Sequence, residues 1–435
     1  MTIEEVNAIK WVVVQRPALV TWHDRKYIGV FVIYPGCGKT RIGVIGICNH
    51  LKKNPKETVL VVIPTNNLKK EWIKTLIATK NEEFIHNFTF ASRQEALKTK
   101  YVVDNLIVDE IHTILTDSYK FILKDTSYRR LIGLTASIDK WKEKTLKELN
   151  IPIIFRFSYE QALSYGIADK IETYIYKTDF NEVDKTSYKL ICDNIERYGA
   201  DIVEYNLAIK HPVNKASRIL ELKGEQDKLD TKTIETMIDD GTFISKDLIN
   251  SCYKYIKNIG LRAALTRNNI TKVYALEELI KALPKDEQLL CFAVDSALVD
   301  SAYEYLNNLG YSVDKYHSKQ DNSVKGKVIK EQILEDFRTG KTQVMLSVKS
   351  LVVGLDIPTL KYICILSTDS NSLDALQRFG RVIRFTDGIG YCIYLVTTNT
   401  IEIDWVKSQN RDKKAYSKLT EIDNFNLIIN EQQQS

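Results

Sequence analysis

Residues 30–44, VFVIYPGCGKTRIGV, place a glycine-containing turn between an apolar run and an amphipathic segment. Backbone N–H groups in such a strand-to-helix turn can cradle phosphate oxygens, because Gly36 and Gly38 permit conformations that side chains resist. The helix predicted from Lys39 onwards directs the positive end of its dipole at the same anion. The stretch therefore predicts a phosphate-binding loop, in which Lys39 meets the β- and γ-phosphates and Thr40 binds Mg²⁺.

Ile33 stands where the general phosphate-loop pattern has its first glycine. Because a β-branched residue favours extended backbone, we expect the chain to remain a strand as far as Ile33 and to turn only afterwards. A glycine-containing turn followed by a surface lysine is the alternative that this stretch alone leaves open. The residues assigned to the nucleotide site are Pro35, Gly36, Cys37, Gly38, Lys39, Thr40 and Arg41.

A second apolar run, NLIVDEIH, ends in two carboxylates. Asp109 at the strand end is expected to hold Mg²⁺ through water, and Glu110 is expected to orient or deprotonate an attacking water. Asp-Glu taken singly is more commonly an ordinary charged strand end. Its occurrence after a phosphate loop favours ATP hydrolysis, with Lys39, Asp109 and Glu110 as catalytic residues and Thr40 and Asp109 on the metal.

The elements that must position these residues follow from hydrophobic periodicity. Short apolar runs alternate with helical patterns over the first 180 residues and again after about residue 286, which is typical of parallel sheets covered by helices. Residues 181–280 instead show long amphipathic stretches with almost no strand signal. The predicted ranges are 1–178 for a first α/β lobe, 179–258 for a helical insert, 259–400 for a second α/β lobe and 401–435 for a C-terminal tail.

Composition sets weaker limits. With 435 residues, of which 44% are hydrophobic, the chain can bury more than one core, and its net charge of +5 is compatible with a local basic groove without proving one. Seven cysteines without a C-x-x-C pair suggest neither a zinc site nor a disulfide framework. We find no signal-peptide pattern and no long uninterrupted apolar stretch, so the expectation is a cytoplasmic protein without a membrane partner.

Three further motifs join the phosphate loop and DEIH in a recognisable set. DEIH follows the phosphate loop, RLIGLTAS comes next, and the second lobe contains SLVVGLDIP and QRFGRVIR, in which every fixed position of Q-x-x-G-R-x-x-R is filled. This set resembles the superfamily 2 helicases and translocases. The resemblance implies two tandem RecA-like domains with ATP and Mg²⁺ between them. It adds Gly354, Asp356 and Gln377 to the nucleotide site and makes Arg381 and Arg384 catalytic.

The resemblance also implies contacts to a nucleic acid strand and residues that couple them to ATP. The coupling residues are His112, Thr135 and Ser137. Leu19 stands where relatives often have an adenine-reading glutamine, which leaves adenine selectivity open, although Gln15 lies nearby as a substitute. The implied strand contacts are Pro64, Thr65, Ser92, Arg93, His317, Ser318, Ser347 and Lys349.

The sequence GLTAS most resembles the corresponding motif in the repair, restriction and recombination branch of the superfamily, and this resemblance favours DNA. The predicted function is an ATP-dependent helicase or translocase that unwinds or remodels forked, branched or single-stranded DNA, acting as a monomer. Overall composition further resembles bacteriophage branch-migration helicases. We expect the helical insert to contact duplex or forked DNA. The alternatives are the motor subunit of a restriction system, an RNA helicase or remodeller, and a non-hydrolysing clamp switched by ATP.

Overall fold

The computed structural model describes residues 2–64, 67–205, 207, 209, 211–227, 229, 231–240, 242–317, 324–348, 360–369, 389–410 and 419–430. In these residues the strands form two sheets, one of six strands and one of seven, and every pairing is parallel. Buried apolar clusters lie on both faces of each sheet. The two-lobed α/β architecture predicted from periodicity is confirmed.

The first lobe contains a six-stranded sheet with the strand order β3-β2-β4-β5-β1-β6. Its elements are α1 (Ile3–Lys10), a π-helical segment (Trp11–Gln15), α2 (Arg16–Asp24), β1 (Ile28–Ile33), α3 (Lys39–Leu51), β2 (Val59–Ile63), α4 (Asn67–Ala78), a 3₁₀ segment (Glu82–Asn87), β3 (Phe88–Ser92), α5 (Arg93–Lys98), β4 (Asn105–Asp109), a 3₁₀ turn (Ile111–Thr113), α6 (Phe121–Asp125), β5 (Arg130–Thr135), α7 (Lys140–Glu148), β6 (Ile153–Phe157) and α8 (Tyr159–Ser164).

The second sheet has the strand order β13-β7-β12-β11-β8-β10-β9. Its elements and those of the insert are β7 (Lys170–Thr178), α9 (Glu182–Glu204), α10 (Pro212–Gln226), α11 (Thr231–Asp239), α12 (Lys246–Arg267), α13 (Thr271–Ala282), β8 (Leu289–Ala293), α14 (Ser296–Asn308), β9 (Val313–Tyr316), α15 (Val324–Arg338), β10 (Val344–Val348), β11 (Tyr362–Ile365), β12 (Ile389–Thr397), the helix Glu402–Gln409, β13 (Leu419–Ile422) and the helix Asn426–Asn430.

The insert consists of α9 to α12 and has a small apolar core of its own. Ile202, Ile219 and Cys252 are buried there and come from three of its helices. Gln226 adds two hydrogen bonds to this core, because its amide donates to the carbonyl of Ile244 and accepts from the N–H of the same residue. The helices therefore pack on one another as a module rather than as isolated arms.

Two strands lie in a different place from the one that we expected. β7 falls within the range 1–178 assigned to the first lobe, yet it pairs with β12 and β13 in the second sheet. β13 falls within the range 401–435 assigned to a tail. The physical reason is that backbone pairing is available to any extended segment that reaches an open sheet edge, whichever lobe precedes it in the sequence.

A buried ion pair holds the second lobe together at the end of β12. Lys272 and Glu402 are both fully buried, and the Lys272 ammonium lies 2.7 and 2.6 Å from the two carboxylate oxygens. The same carboxylate accepts the backbone N–H groups of Thr368 and Thr397 at 3.3 and 3.0 Å. Glu402 therefore joins the start of α13, the end of β12 and the segment that follows β11.

Removing one charge from this pair should destabilise the second lobe strongly. Glu402→Gln leaves the buried Lys272 ammonium without its counter-ion, at a cost of about 3–5 kcal/mol in the free energy of unfolding. Lys272→Met/Glu402→Gln should recover part of this loss, because it removes both buried charges and the single amide oxygen can still accept one of the two backbone N–H groups. Thermal and urea unfolding measure the difference.

Lys177→Met is the matched control, because Lys177 forms an equally short ion pair with Glu421 but both side chains are about half exposed. Surface pairs contribute little, so its unfolding temperature should stay near that of the wild type. An equal loss in Glu402→Gln and Lys177→Met would contradict the role given to the buried pair.

Candidate functional site

The predicted catalytic residues of the first lobe meet at one edge of its sheet. β5 lies between β1 and β4, and all three strands run in the same direction. The phosphate loop follows β1, Asp109 ends β4 and Thr135 ends β5. Since the carboxyl ends of parallel strands share an edge, residues that are far apart in the sequence become neighbours.

The backbone of the phosphate loop turns after Ile33, at the two glycines, as the sequence predicted. β1 ends at Ile33, and Gly36 and Gly38 have φ angles of 80° and 87°, in the left-handed region that favours glycine. Lys39 is the first residue of α3. Its ammonium lies 3.4 Å from the carbonyl oxygen of Ile33 and 4.0 Å from a carboxylate oxygen of Glu110. The loop lysine and the predicted catalytic carboxylate therefore face the same space.

The two carboxylates at the end of β4 are held differently. One oxygen of Asp109 accepts the indole N–H of Trp72 at 3.1 Å, and the other accepts the backbone N–H of Glu110 at 3.1 Å. Glu110 is buried and has a φ angle of 49°, an unfavourable conformation for a residue with a side chain. Strain of this kind persists where the surrounding structure enforces it, and it is concentrated at functional sites.

The three residues predicted to couple ATP to the strand also lie together. Nδ1 of His112 is 2.9 Å from the Thr135 hydroxyl and 3.4 Å from a Glu110 carboxylate oxygen. The Thr135 hydroxyl in turn donates to the carbonyl of Ser137 at 2.8 Å. A chain of polar contacts thus runs from Glu110 to the end of β5.

Gln15, rather than Leu19, reaches the phosphate loop. The Gln15 amide donates to the carbonyl of Cys37 at 3.2 Å, and a Cβ atom at Gly38 would lie 2.3 Å from the same nitrogen. The Gln15 side-chain oxygen is buried and has no hydrogen-bond partner among the described residues. Leu19 instead packs on Gly46 of α3. The π-helical segment that ends at Gln15 carries no sequence signal that would have predicted this contact.

Three of the predicted strand contacts in the first lobe are described by the structure, and they lie at the ends of β2 and β3. The Ser92 hydroxyl caps α5 by accepting the N–H of Glu95, while Ser92 N–H donates to the Glu95 carboxylate. The hydrogen bond from the Ser92 backbone N–H to the carboxylate is the main cause that holds the pKa of Glu95 below its usual value, and hydrogen bonding from the Ser92 side chain adds to it. The Arg93 guanidinium donates to the carbonyl of Thr113 at 3.4 Å, in the turn that follows Glu110. Pro64 directly follows β2 and is half-buried.

The second lobe shows two of the predicted residues, both buried. His317 lies 3.1 Å from a carboxylate oxygen of Asp300, and the Ser347 hydroxyl donates to the carbonyl of Tyr316. Burial raises the pKa of Asp300, but hydrogen bonds from Lys315 and His317 outweigh it and leave this pKa below its usual value. In this structure the side chains of His317 and Ser347 therefore form contacts within the second lobe. Predicted residues outside the described part of the chain are Thr65, Ser318, Lys349, Gly354, Asp356, Gln377, Arg381 and Arg384.

Comparisons with known proteins match both lobes. Residues 3–103 match the family model "Type III restriction enzyme, res subunit", and residues 271–386 match "Helicase conserved C-terminal domain". The chain is 23% identical to the DNA 3'-5' translocase XPB2 of Sulfurisphaera tokodaii over 410 residues, which cover 89% of this chain and 82% of that protein. It also matches UvrABC system protein B of Natronomonas pharaonis, with 29% identity over 27% of this chain but only 17% of that protein.

The chain belongs to the superfamily 2 helicases and translocases. Members of this superfamily hydrolyse ATP, so this motor is an ATP-hydrolysing enzyme. Its fold is shared with the Pyrococcus furiosus Hef helicase domain at 16% identity and a TM-score of 0.53, over 91% of this chain and 97% of that one. It is also shared with Saccharomyces cerevisiae Dbp5 bound to RNA and ADP BeF3, at 12% identity and a TM-score of 0.56, over 94% and 89% of the two chains.

The contact between Gln15 and the phosphate loop predicts an effect on nucleotide affinity. Gln15→Ala removes the hydrogen bond to Cys37 and should weaken ADP binding by about fivefold to thirtyfold, the equivalent of about 1–2 kcal/mol. Leu19→Ala is the control, because it opens the α2–α3 packing without touching the loop and should lower thermal stability alone. Fluorescent ADP titration separates the two variants. Unchanged ADP affinity in Gln15→Ala would show that Gln15 does not support the loop.

Proposed function

We propose that this motor is an ATP-dependent DNA helicase or translocase that acts on forked or branched DNA. The observation that carries the proposal is the meeting of Lys39, Glu110, His112 and Thr135 at one sheet edge, in a chain whose similarity to a DNA translocase extends over both lobes. Such an arrangement links a phosphate loop to the segments that follow the neighbouring strands. It is suited to coupling hydrolysis to movement along a strand.

The residues at this edge fit ATP and Mg²⁺. Positive-φ glycines open the loop backbone, and a buried oxygen of Gln15 and a buried nitrogen of Arg41 have no hydrogen-bond partner within the described residues. In the proposal, the loop and Lys39 hold the phosphates, and Thr40 and Asp109 hold Mg²⁺. When bound, the ion neutralises charge on the phosphate oxygens. Glu110 orients the attacking water and takes up its proton.

The second lobe completes the proposed site. Gly354, Asp356 and Gln377 are assigned to the nucleotide, and Arg381 and Arg384 to the charge that develops on the transferred phosphoryl group. Arginines in this role contribute a factor of about 10³–10⁵ in rate in other NTPases. Because the phosphate loop and these arginines belong to different lobes, closure of the lobes would be required for each hydrolysis event.

The insert offers a surface that suits DNA. One side of α12 exposes Lys246, Tyr253, Lys254 and Lys257 at helical spacing, and the Lys254 ammonium lies 5.1 Å from the ring centre of Tyr198. Lysines neutralise phosphates and exposed aromatic rings stack on bases, so this combination suits a nucleic acid backbone near a junction. We name these four residues the α12 stripe and propose that it contacts duplex or forked DNA.

The catalytic role of Glu110 is tested by Glu110→Gln. This change preserves the side-chain volume but removes the base, so the ATPase rate should fall by about 10²-fold or more while ADP affinity is retained. Glu148→Gln on the exposed end of α7 is the matched control and should leave the rate unchanged. Equal ATPase rates in wild type and Glu110→Gln would refute the catalytic role of Glu110, whereas a wild-type chain without ATPase activity would favour an ATP-switched clamp.

The substrate is tested by measuring the ATPase rate with single-stranded, duplex, forked and four-way DNA and with RNA, at one stated salt concentration. We expect forked or four-way DNA to stimulate most. Stimulation that is greatest with RNA would establish an RNA helicase instead, and equal stimulation by every DNA would remove the junction preference. Branch migration, which the resemblance in composition suggested, stays a prediction that four-way DNA addresses, and the bacteriophage role stays a prediction that this assay does not test.

The α12 stripe is tested separately. Lys254→Glu/Lys257→Glu should reduce fork unwinding by about tenfold and weaken its dependence on salt, because two phosphate contacts are lost. ATPase stimulation by single-stranded DNA should persist. Lys144→Glu/Lys147→Glu on α7 makes the same charge change outside the insert and serves as the control. Fork unwinding that falls equally in both variants would mean that net charge, and not the stripe, is responsible.

A restriction-system motor is the second candidate, because residues 3–103 match the model of a restriction enzyme subunit. Within the described residues no cluster of three or more His, Cys, Asp or Glu side chains could hold a metal ion for a nuclease. Such a motor would require a nuclease partner. We expect the purified chain to leave DNA uncut in the presence of ATP and Mg²⁺, whereas cleavage would favour this candidate.

Among the helices that the structure describes, none is long and apolar enough to cross a membrane.

A further inference from the structure

Trp72 contacts the proposed metal-side carboxylate, and no role was predicted for it from the sequence. It lies on α4, its side chain is fully buried, and its indole N–H donates to Asp109 Oδ2 at 3.1 Å. Hydrogen bonds to an ionised acceptor are stronger than those between neutral groups. A carboxylate offers about four lone-pair positions, so the indole can orient Asp109 and still leave it able to bind an ion or its water.

The Trp72 ring packs against α3, the helix that follows the phosphate loop. Gly43 on α3 faces it, and a Cβ atom at this position would lie only 2.7 Å from Trp72 Cη2. The absence of a side chain therefore lets the indole reach Asp109 between α3 and β4. Trp72 touches the helix that begins at Lys39 and the strand that ends at Asp109, which are the two elements that hold phosphate and metal.

The other end of α4 lies next to a predicted strand contact. α4 begins at Asn67, three residues after Pro64, and Trp72 lies between one and two turns into the helix. If nucleic acid binding shifted the start of this short helix, the indole and its hydrogen bond to Asp109 would shift with it.

The buried Trp22 shows what a purely structural indole does in the same core. Trp22 is also nearly fully buried in the cluster that contains Trp72, and its N–H donates to the backbone carbonyl of Leu131 at 2.9 Å. Its acceptor has no part in the proposed chemistry. The two side chains therefore differ in what the N–H binds, while their size, burial and core are alike.

We propose that Trp72 is a positioning residue that orients Asp109 for Mg²⁺ and connects nucleic acid at the start of α4 to the metal side of the ATP site. This inference rests on the proposed function, because it takes Asp109 as the metal-side carboxylate. It gives Trp72 a role that was not predicted from the sequence.

The test is Trp72→Phe, which keeps an aromatic ring and removes the donor. Thermal unfolding with ADP alone and with ADP plus Mg²⁺ gives a readout that does not require turnover, since a ligand that binds the folded state raises the unfolding temperature. We expect the Mg²⁺-dependent part of the stabilisation to shrink, and the Mg²⁺ concentration for half-maximal stabilisation to rise by about fivefold to tenfold. Stimulation of the ATPase by DNA should fall by about threefold while basal ATPase changes less.

Trp22→Phe is the control and should change overall stability without changing the Mg²⁺ dependence. If both variants show the same Mg²⁺ dependence and the same DNA stimulation, the proposal is overturned. Should Trp72→Phe fail to fold, Gly43→Ala decides, because it pushes the ring away from Asp109 without removing the donor and should shift Mg²⁺ dependence in the same direction. A wild-type chain that shows Mg²⁺-dependent ADP binding but no ATPase would instead refute the proposed function and leave the role of Trp72 testable.

Discussion

The common direction of the strands is the constraint on which the site depends. Every strand pairing in the described residues is parallel, so the segments that follow β1, β4 and β5 leave the sheet at the same edge. Each segment contributes one kind of group: an open phosphate loop, two carboxylates, and a hydroxyl within reach of His112. Backbone pairing therefore assembles the chemistry, and helices such as α3 and α4 then set the orientation of individual side chains.

Several residues at this edge have locally unfavourable structure. Glu110 is held in the left-handed region, and buried polar atoms of Gln15, Arg41 and Ser137 have no hydrogen-bond partner among the described residues. Both features cost stability and are expected where a protein is built to receive a polar ligand. In the second lobe the buried Lys272–Glu402 pair shows the opposite arrangement, since its carboxylate receives several donors within the fold.

Much of this organisation could be predicted from local patterns. The phosphate loop, the strand that ends at Asp109 and the two parallel sheets follow from glycine spacing and apolar runs, because backbone conformation and burial are largely local consequences of residue type. The membership of β7 and β13 in the second sheet could not be predicted in this way. An extended segment such as KIETYIYKT fits either sheet, and the choice between them depends on which edge is open in three dimensions.

By itself the sequence determined the chemistry that is available: Lys39 in a phosphate loop, Asp109 and Glu110 after a buried strand, and motifs that identify the superfamily. Only the tertiary structure decided which side chains support that chemistry. Gln15 reaches the loop from a π-helical segment, and Trp72 reaches Asp109 through the gap that Gly43 leaves. These contacts join residues 22 and 37 positions apart, and their formation depends on how helices pack against the sheet, a property that residue types and spacing alone do not encode.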